Sequence, residues 1–206
     1  MWWRDVRDLD GQVSLLVGQE PAGVARSARI DPRAEIDESL GPVVIGAGTR
    51  VCAGAVIRGP AVIGDHCLIG NGAFIRGPVW IGSHVTIGYG TEVKQAIIGG
   101  RSSLGPLCFV ADSRIDEGAY LGALVRTSNQ RLDRRAVSVE EDGKLVATGM
   151  DKLGCWIQSG ASLGIQVIIL PGRVIAAGTT LEPRITVTRN LPRGHYRVSQ
   201  TLERVA

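Results

Sequence analysis

Aromatic rings are scarce in this chain: Phe, Trp and Tyr together make up 4% of 206 residues, although 44% are apolar. A core with so few rings has to be narrow and filled by aliphatic side chains. Charge of one sign is missing too, because 23 Lys and Arg stand against 20 Asp and Glu, a net +3 with no basic block. No nucleic-acid partner is therefore expected, only a mildly basic site. The four cysteines, Cys52, Cys67, Cys108 and Cys155, show no CxxC or other metal-ligand spacing, so no metal is expected. No secretory signal precedes them, which points to reduced thiols and a cytoplasmic location. Apolar runs such as Val167 to Leu170 are far too short to span a bilayer, and no membrane partner is expected.

What the chain does have is a period of six. Ile45, Val51, Ile57, Ile63, Ile69, Ile75, Ile81, Ile87 and Val93 recur at every sixth position without a miss. Helices repeat near 3.6 residues and half-buried strands near 2, so a sustained period of six needs a chain that turns a corner after each short strand. The repeat is present before this column as Val24, Ile30 and Ile36. It resumes after it as Ile98, Leu104, Val110, Ile115, Leu121 and Thr127, with one-residue deletions at two corners, and again from Ile157 to Val187. The reading is an all-β hexapeptide solenoid over residues 24–189, with an N-terminal cap at 1–23, a protruding loop at 129–152 and a tail at 190–206. The cap, with Trp2, Trp3 and the apolar run Val13 to Val17, is expected to cover the open edge of the first coil. The charged loop has no obvious packing site on its own coil and is expected to reach onto a neighbour. The tail has left the repeat, which also points it towards a neighbour.

If three hexads make one triangular coil, residues one coil apart lie directly above one another, about 4.8 Å away. The residues that follow the inward aliphatics then form outward ladders: Gly46, Gly64 and Gly82; Cys52, Gly70 and Gly88; and Arg58, Arg76 and Lys94. Stacked cations repel by roughly 1 kcal/mol per adjacent pair even in a water-like dielectric. A bound anion would explain the third ladder; a solvated ladder of splayed side chains is the alternative. His66 and His84 stack in the same way. Paired imidazoles suit a metal or acid-base work, but no third ligand is apparent, and exposed corner residues are the simpler reading.

Several ordered segments go beyond the bare hexad: Gly41-Pro-Val-Val-Ile-Gly, Ala73-Phe-Ile-Arg-Gly, Thr91-Glu-Val-Lys, Phe109-Val-Ala-Asp-Ser, Tyr120-Leu-Gly-Ala, Ser128-Asn-Gln-Arg-Leu-Asp and Ile175-Ala-Ala-Gly-Thr-Thr. On these the chain resembles the hexapeptide-repeat acetyltransferase domain of the bifunctional sugar-1-phosphate nucleotidyltransferase and glucosamine-1-phosphate acetyltransferase family, most closely its archaeal-type members. The resemblance implies a left-handed parallel β-helix and a homotrimer with active sites between subunits. It implies acetyl-CoA as co-substrate, with Ser159 and Ala177 where the family binds the coenzyme arms. Arg76 and Lys94 fall where the family holds the sugar phosphate, and Asn129 matches an acceptor-site asparagine. The family's nucleotidyltransferase domain has no counterpart in this sequence.

The match departs at chemically important points. The family's catalytic histidine falls on Pro106, its nearby tyrosine on Phe109, a second asparagine on Tyr120, and two loop lysines on Arg135 and Ser138. Positioned acid-base help is typically worth about 10² to 10⁴ in rate, and proline supplies none. Asp112, Tyr120 and the His66/His84 pair are the candidate substitutes. Cys108 is a conceivable nucleophile, although a small buried cysteine is more often core. Two functions follow: an acyl-CoA-dependent transferase acting on a sugar phosphate or related anionic small molecule, or a catalytically silent binding or scaffold subunit. A metal-dependent carbonic anhydrase, a third class built on this solenoid, is weakened by the absent third histidine.

Overall fold

The structure, a computed structural model, describes residues 1–19 and 23–200. Its body is a parallel β-solenoid with three faces. On the first face the strand Arg50–Val51 lies between Arg29–Ile30 and Leu68–Ile69, and nine strands stack in this way as far as His195–Tyr196. The second face carries Glu35–Asp37, Val56–Arg58 and their successors; the third carries Val43–Ile45, Ala61–Ile63 and theirs. Two longer strands, Phe74–Ile81 and Glu92–Ile98, run round the corner between the second and third faces and join them into one 13-stranded sheet.

The hexad column is the core. Ile57, Ile69, Ile75, Ile81 and Ile87 are wholly buried, and each sits beside its equivalent in the next coil. Buried hydroxyls complete the ladders at the corners. Thr49 Oγ1 donates to the Gly64 carbonyl at 2.7 Å and accepts from the Cys67 N–H at 2.9 Å, so one side chain ties two coils. Thr91 repeats the device with Gly105 and Cys108. Thr179 holds a comparable buried place near the end of the solenoid, where its hydroxyl has no partner among the described residues.

The N-terminal segment is helical and does not lie across the first coil. Helix α1 (Trp2–Arg7) and helix α2 (Leu9–Gln19) run along the third face. Leu9 and Val13 of α2 pack on Val44, Val62, Trp80 and Ile97, one apolar residue from each of four successive coils. These residues point outward. An apolar stripe of that length has to be covered, and α2 covers it, so the helices serve a flank, while Val24 bridges Ile45 at the edge of the first coil.

The charged excursion packs on its own chain, where the sequence shows no obvious packing site. It folds as an antiparallel hairpin, Ser138–Glu141 against Lys144–Ala147. Val137, Val139 and Leu153 bury themselves with Trp2, Trp3 and Val6 of α1, and the Trp3 indole N–H donates to Glu141 at 3.0 Å. The apolar residues alternate with the charges inside the hairpin, so the charge density concealed a packing face. The tail also stays on its own solenoid: His195–Tyr196 adds a last parallel strand beside Thr180–Leu181, and Tyr196 Oη donates to the Pro192 carbonyl at 2.7 Å. Among the described residues no helix is long and apolar enough to cross a membrane.

If the flank helices are part of the folded unit, Leu9→Ala, at a site 1% exposed, should cost about 2–4 kcal/mol in denaturant unfolding. Leu15→Ala, 69% exposed on the same helix, should change stability by less than about 0.5 kcal/mol.

Candidate active site

Arg58, Arg76 and Lys94 do stack in register at the end of the second face. The repulsion expected between them is met within the chain. Arg58 pairs with Asp37 at 2.7 Å, Arg76 with Glu92 at 2.7 Å and Lys94 with Asp112 at 3.0 Å. A bound anion is therefore not needed to explain the ladder, and the argument from repulsion fails. The partners were legible: Glu92 stands two residues before Lys94, on the same outward side of the strand. Phe74 lies between the guanidinium groups of Arg58 and Arg76, each 5.8 Å from the ring centre. Hydrogen bonds from Ser39, then from Arg58, hold the Asp37 carboxyl at about 2. Its contribution to stability is thus complete above the ordinary carboxylate range and is lost as pH falls through about 2.

Asp112 owes its place to a shortened corner. Gly59 and Pro60 turn the chain after Arg58, whereas Gln95 alone turns it after Lys94 and Asp112 alone after Ala111. Both single residues adopt positive φ, 44° and 49°, a conformation that Asp tolerates better than most residues. The Asp112 side chain is 3% exposed. It accepts from Lys94 Nζ at 3.0 and 3.1 Å and from Asn129 Nδ2 at 2.5 Å. Its carbonyl accepts the Gly154 N–H at 2.7 Å, where the excursion rejoins the coil. Both oxygens of Asp112 are thus engaged, by Lys94 and Asn129.

The other expected residues lie elsewhere. Tyr120 is 52% exposed on the first face, between Ser103 and Ser162, so one chain does not bring it to Asp112. Arg135 is exposed in the excursion, its N–H on Asp133. Pro106 is exposed at the corner between the first and second faces. His66 and His84 stack with ring centres 5.2 Å apart and planes 14° from parallel. Among the described residues no group of three His, Cys, Asp or Glu is placed to hold a metal. Cys108 is core: burial pushes its thiol above the ordinary value, and Sγ donates to the Gly122 carbonyl at 3.2 Å.

A hollow of about 760 Å³ runs along the corner between the third and first faces. Gly46, Gly64, Gly82 and Gly99 form its floor, and Asp65, Ser83, His84 and Ser159 are on its walls. Glycine is required here; a Cβ at Gly64 would come within 2.7 Å of the Ser83 nitrogen. Ala177 follows Ser159 one coil on, since the Gly178 N–H donates to the Ser159 carbonyl at 2.9 Å. Both are exposed. The grooved corner and the Lys94 corner are thus opposite edges of the helix-covered third face. Within one chain the covered face separates the two corners.

A three-faced parallel solenoid with such a corner groove defines the class of hexapeptide-repeat β-helix proteins, and comparison with known proteins agrees. The profile described as bacterial transferase hexapeptide (six repeats) matches residues 60–95. LpxA from Acinetobacter baumannii superposes with a TM-score of 0.50 over 76% of this chain and 66% of its own, at 11% identity, which fixes the fold as a left-handed β-helix. YaiX, an uncharacterized acetyltransferase of Escherichia coli O6:K15:H31, is 55% identical over 179 residues, 87% of this chain and 78% of YaiX. The bifunctional sugar-1-phosphate nucleotidylyltransferase/acetyltransferase of Sulfurisphaera tokodaii is 36% identical over 105 residues, 51% of this chain and 26% of that protein. The chain belongs to the hexapeptide-repeat acetyltransferase family.

Removing one member of a buried ion pair leaves the other charge uncompensated. Lys94→Ala should therefore lower stability by on the order of 3 kcal/mol in urea unfolding. The neutral double variant Lys94→Met/Asp112→Asn should recover most of that loss; failure to recover any would mean that the pair is not what holds this corner.

Proposed function

We propose that the chain is an acyl-CoA-dependent acetyltransferase whose acceptor is a sugar phosphate or related anionic small molecule, working as a homotrimer in the cytoplasm. The observation that carries this reading is the division of the site. The groove that reaches Ser159, with Ala177 one coil beyond it, and the Arg76, Lys94 and Asn129 cluster lie at opposite edges of one covered face, so the groove of one copy would serve the acceptor held by another. The acceptor class is supported by the Sulfurisphaera tokodaii relative, whose name includes a sugar 1-phosphate. The four unpaired thiols suit a reducing compartment.

The groove would take the pantetheine arm, the glycine floor letting it lie against the backbone. Arg76 is 39% exposed at the side chain and retains donors beyond those given to Glu92, enough to meet an acceptor anion. Asp112 fixes Lys94 and Asn129 beside it. The acceptor nucleophile attacks the thioester carbonyl carbon, the C–S bond breaks, the coenzyme leaves as thiol or thiolate, and the nucleophile sheds one proton. Holding the two reactants together supplies a large part of the rate. Of the groups weighed as bases, His84 lines the groove with Ser159; Asp112 is fully engaged, and Tyr120 is exposed on the first face, outside the groove's lining. The exposed Pro106 favours a second reading, a binding subunit without turnover.

Purified protein given acetyl-CoA and a panel of amino-sugar phosphates should release free thiol and yield an acetylated product by mass; binding without product would select the silent subunit. Ala177→Trp should weaken coenzyme binding about tenfold or more by calorimetry while leaving the melting temperature unchanged, because position 177 is exposed. Absence of any coenzyme A binding to the unmodified chain would overturn the transferase reading.

A further inference from the structure

Two cations on the first face, in the same coils as Asp37 and Arg58, are arranged differently from the neutralised ladder. Arg29 and Arg50 are register partners on adjacent parallel strands at the start of the first face. Both are exposed, and among the described residues neither belongs to any of the ion pairs, which go instead to Arg58, Arg76, Lys94 and others. Like charges set directly opposite one another across a sheet are destabilising. Asp31 lies close enough to feel the charge of Arg50, but its hydrogen bonds go to Arg33: Oδ1 accepts the Arg33 N–H at 2.9 Å and Nε at 3.1 Å, and Oδ2 accepts Nη2 at 3.3 Å.

These side chains surround a hollow of about 320 Å³ that also includes Asn71. Three arginines face it against one carboxylate that is already occupied. Two forked guanidinium groups on neighbouring strands match a tetrahedral oxyanion, which each contacts through paired N–H donors. An amide such as that of Asn71 adds a neutral donor.

We propose that Arg29 and Arg50, with Arg33 and Asn71 at the rim, form a second anion site that binds the phosphate group of a phosphate monoester. It goes beyond the transferase reading and shares no residue with it. The ligand is either inorganic phosphate or a phosphate ester, and both present the same dianionic tetrahedron.

The test is titration of the full chain with inorganic phosphate and, separately, with glucose 1-phosphate, at an ionic strength held constant with chloride, reading calorimetric affinity and melting temperature. Wild-type protein should be stabilised by at least one of the two; a larger effect of the ester that persists in Arg76→Gln and is lost in Arg29→Gln/Arg50→Gln would identify an ester as the ligand of this site. Arg29→Gln/Arg50→Gln should bind about tenfold or more weakly, yet without phosphate it should melt no lower than wild type, since the mutual repulsion is gone. Arg50→Gln alone should give an intermediate loss. Arg76→Gln should leave phosphate binding at this site intact. No phosphate effect beyond matched chloride in the wild type, or an effect retained in full by the double variant, would overturn the proposal.

Discussion

The in-register stacking of coils is the constraint on which the rest of this molecule depends. Each inward aliphatic rests on its counterpart in the coils before and after, as Ile75 does between Ile57 and Val93, so the core is a continuous column rather than a cluster. Outward residues inherit the same alignment, whatever their chemistry. Cations stack over cations, glycines over glycines and imidazoles over imidazoles, and the chain has to answer each ladder with a partner. Asp37, Glu92 and Asp112 answer one ladder and α2 answers another. The arginines at positions 29 and 50 form no ion pair among the described residues.

The solenoid was legible because the inward period is strict and no other fold sustains it. Two further features are carried by outward apolar residues, which charge and glycine patterns do not mark. Val44, Val62 and Trp80 recur with the coil period as plainly as the arginines do, and they foretell a covering element on the third face. Val137 and Val139 announce in the same way that the excursion has a buried side, but the charges around them dominate its composition. The carboxylate partners of the cation ladder were within reach, since Glu92 and Lys94 share one side of a strand. Asp112 was identified through family resemblance, while its buried, doubly engaged state depends on a corner shortened by one residue, a three-dimensional effect that a sequence pattern does not express.

The division of the candidate site is a direct consequence of this geometry. A triangular coil places two of its corners at either edge of any one face, and here the face between the groove and the acceptor cluster is roofed by α1, α2 and the hairpin. The roof makes that face unavailable as a substrate path inside one chain.

That two copies share one site is the central claim, and subunit complementation tests it most directly. Arg76→Ala removes an acceptor contact and Ala177→Trp obstructs the groove, so each variant alone should be inactive. Co-expressed with different tags and purified as mixed assemblies, they should regain acetyl transfer, because some sites would pair an intact groove from one variant with an intact acceptor cluster from the other. Mixed assemblies as inactive as either parent, or full activity from a chain that remains monomeric, would contradict the account.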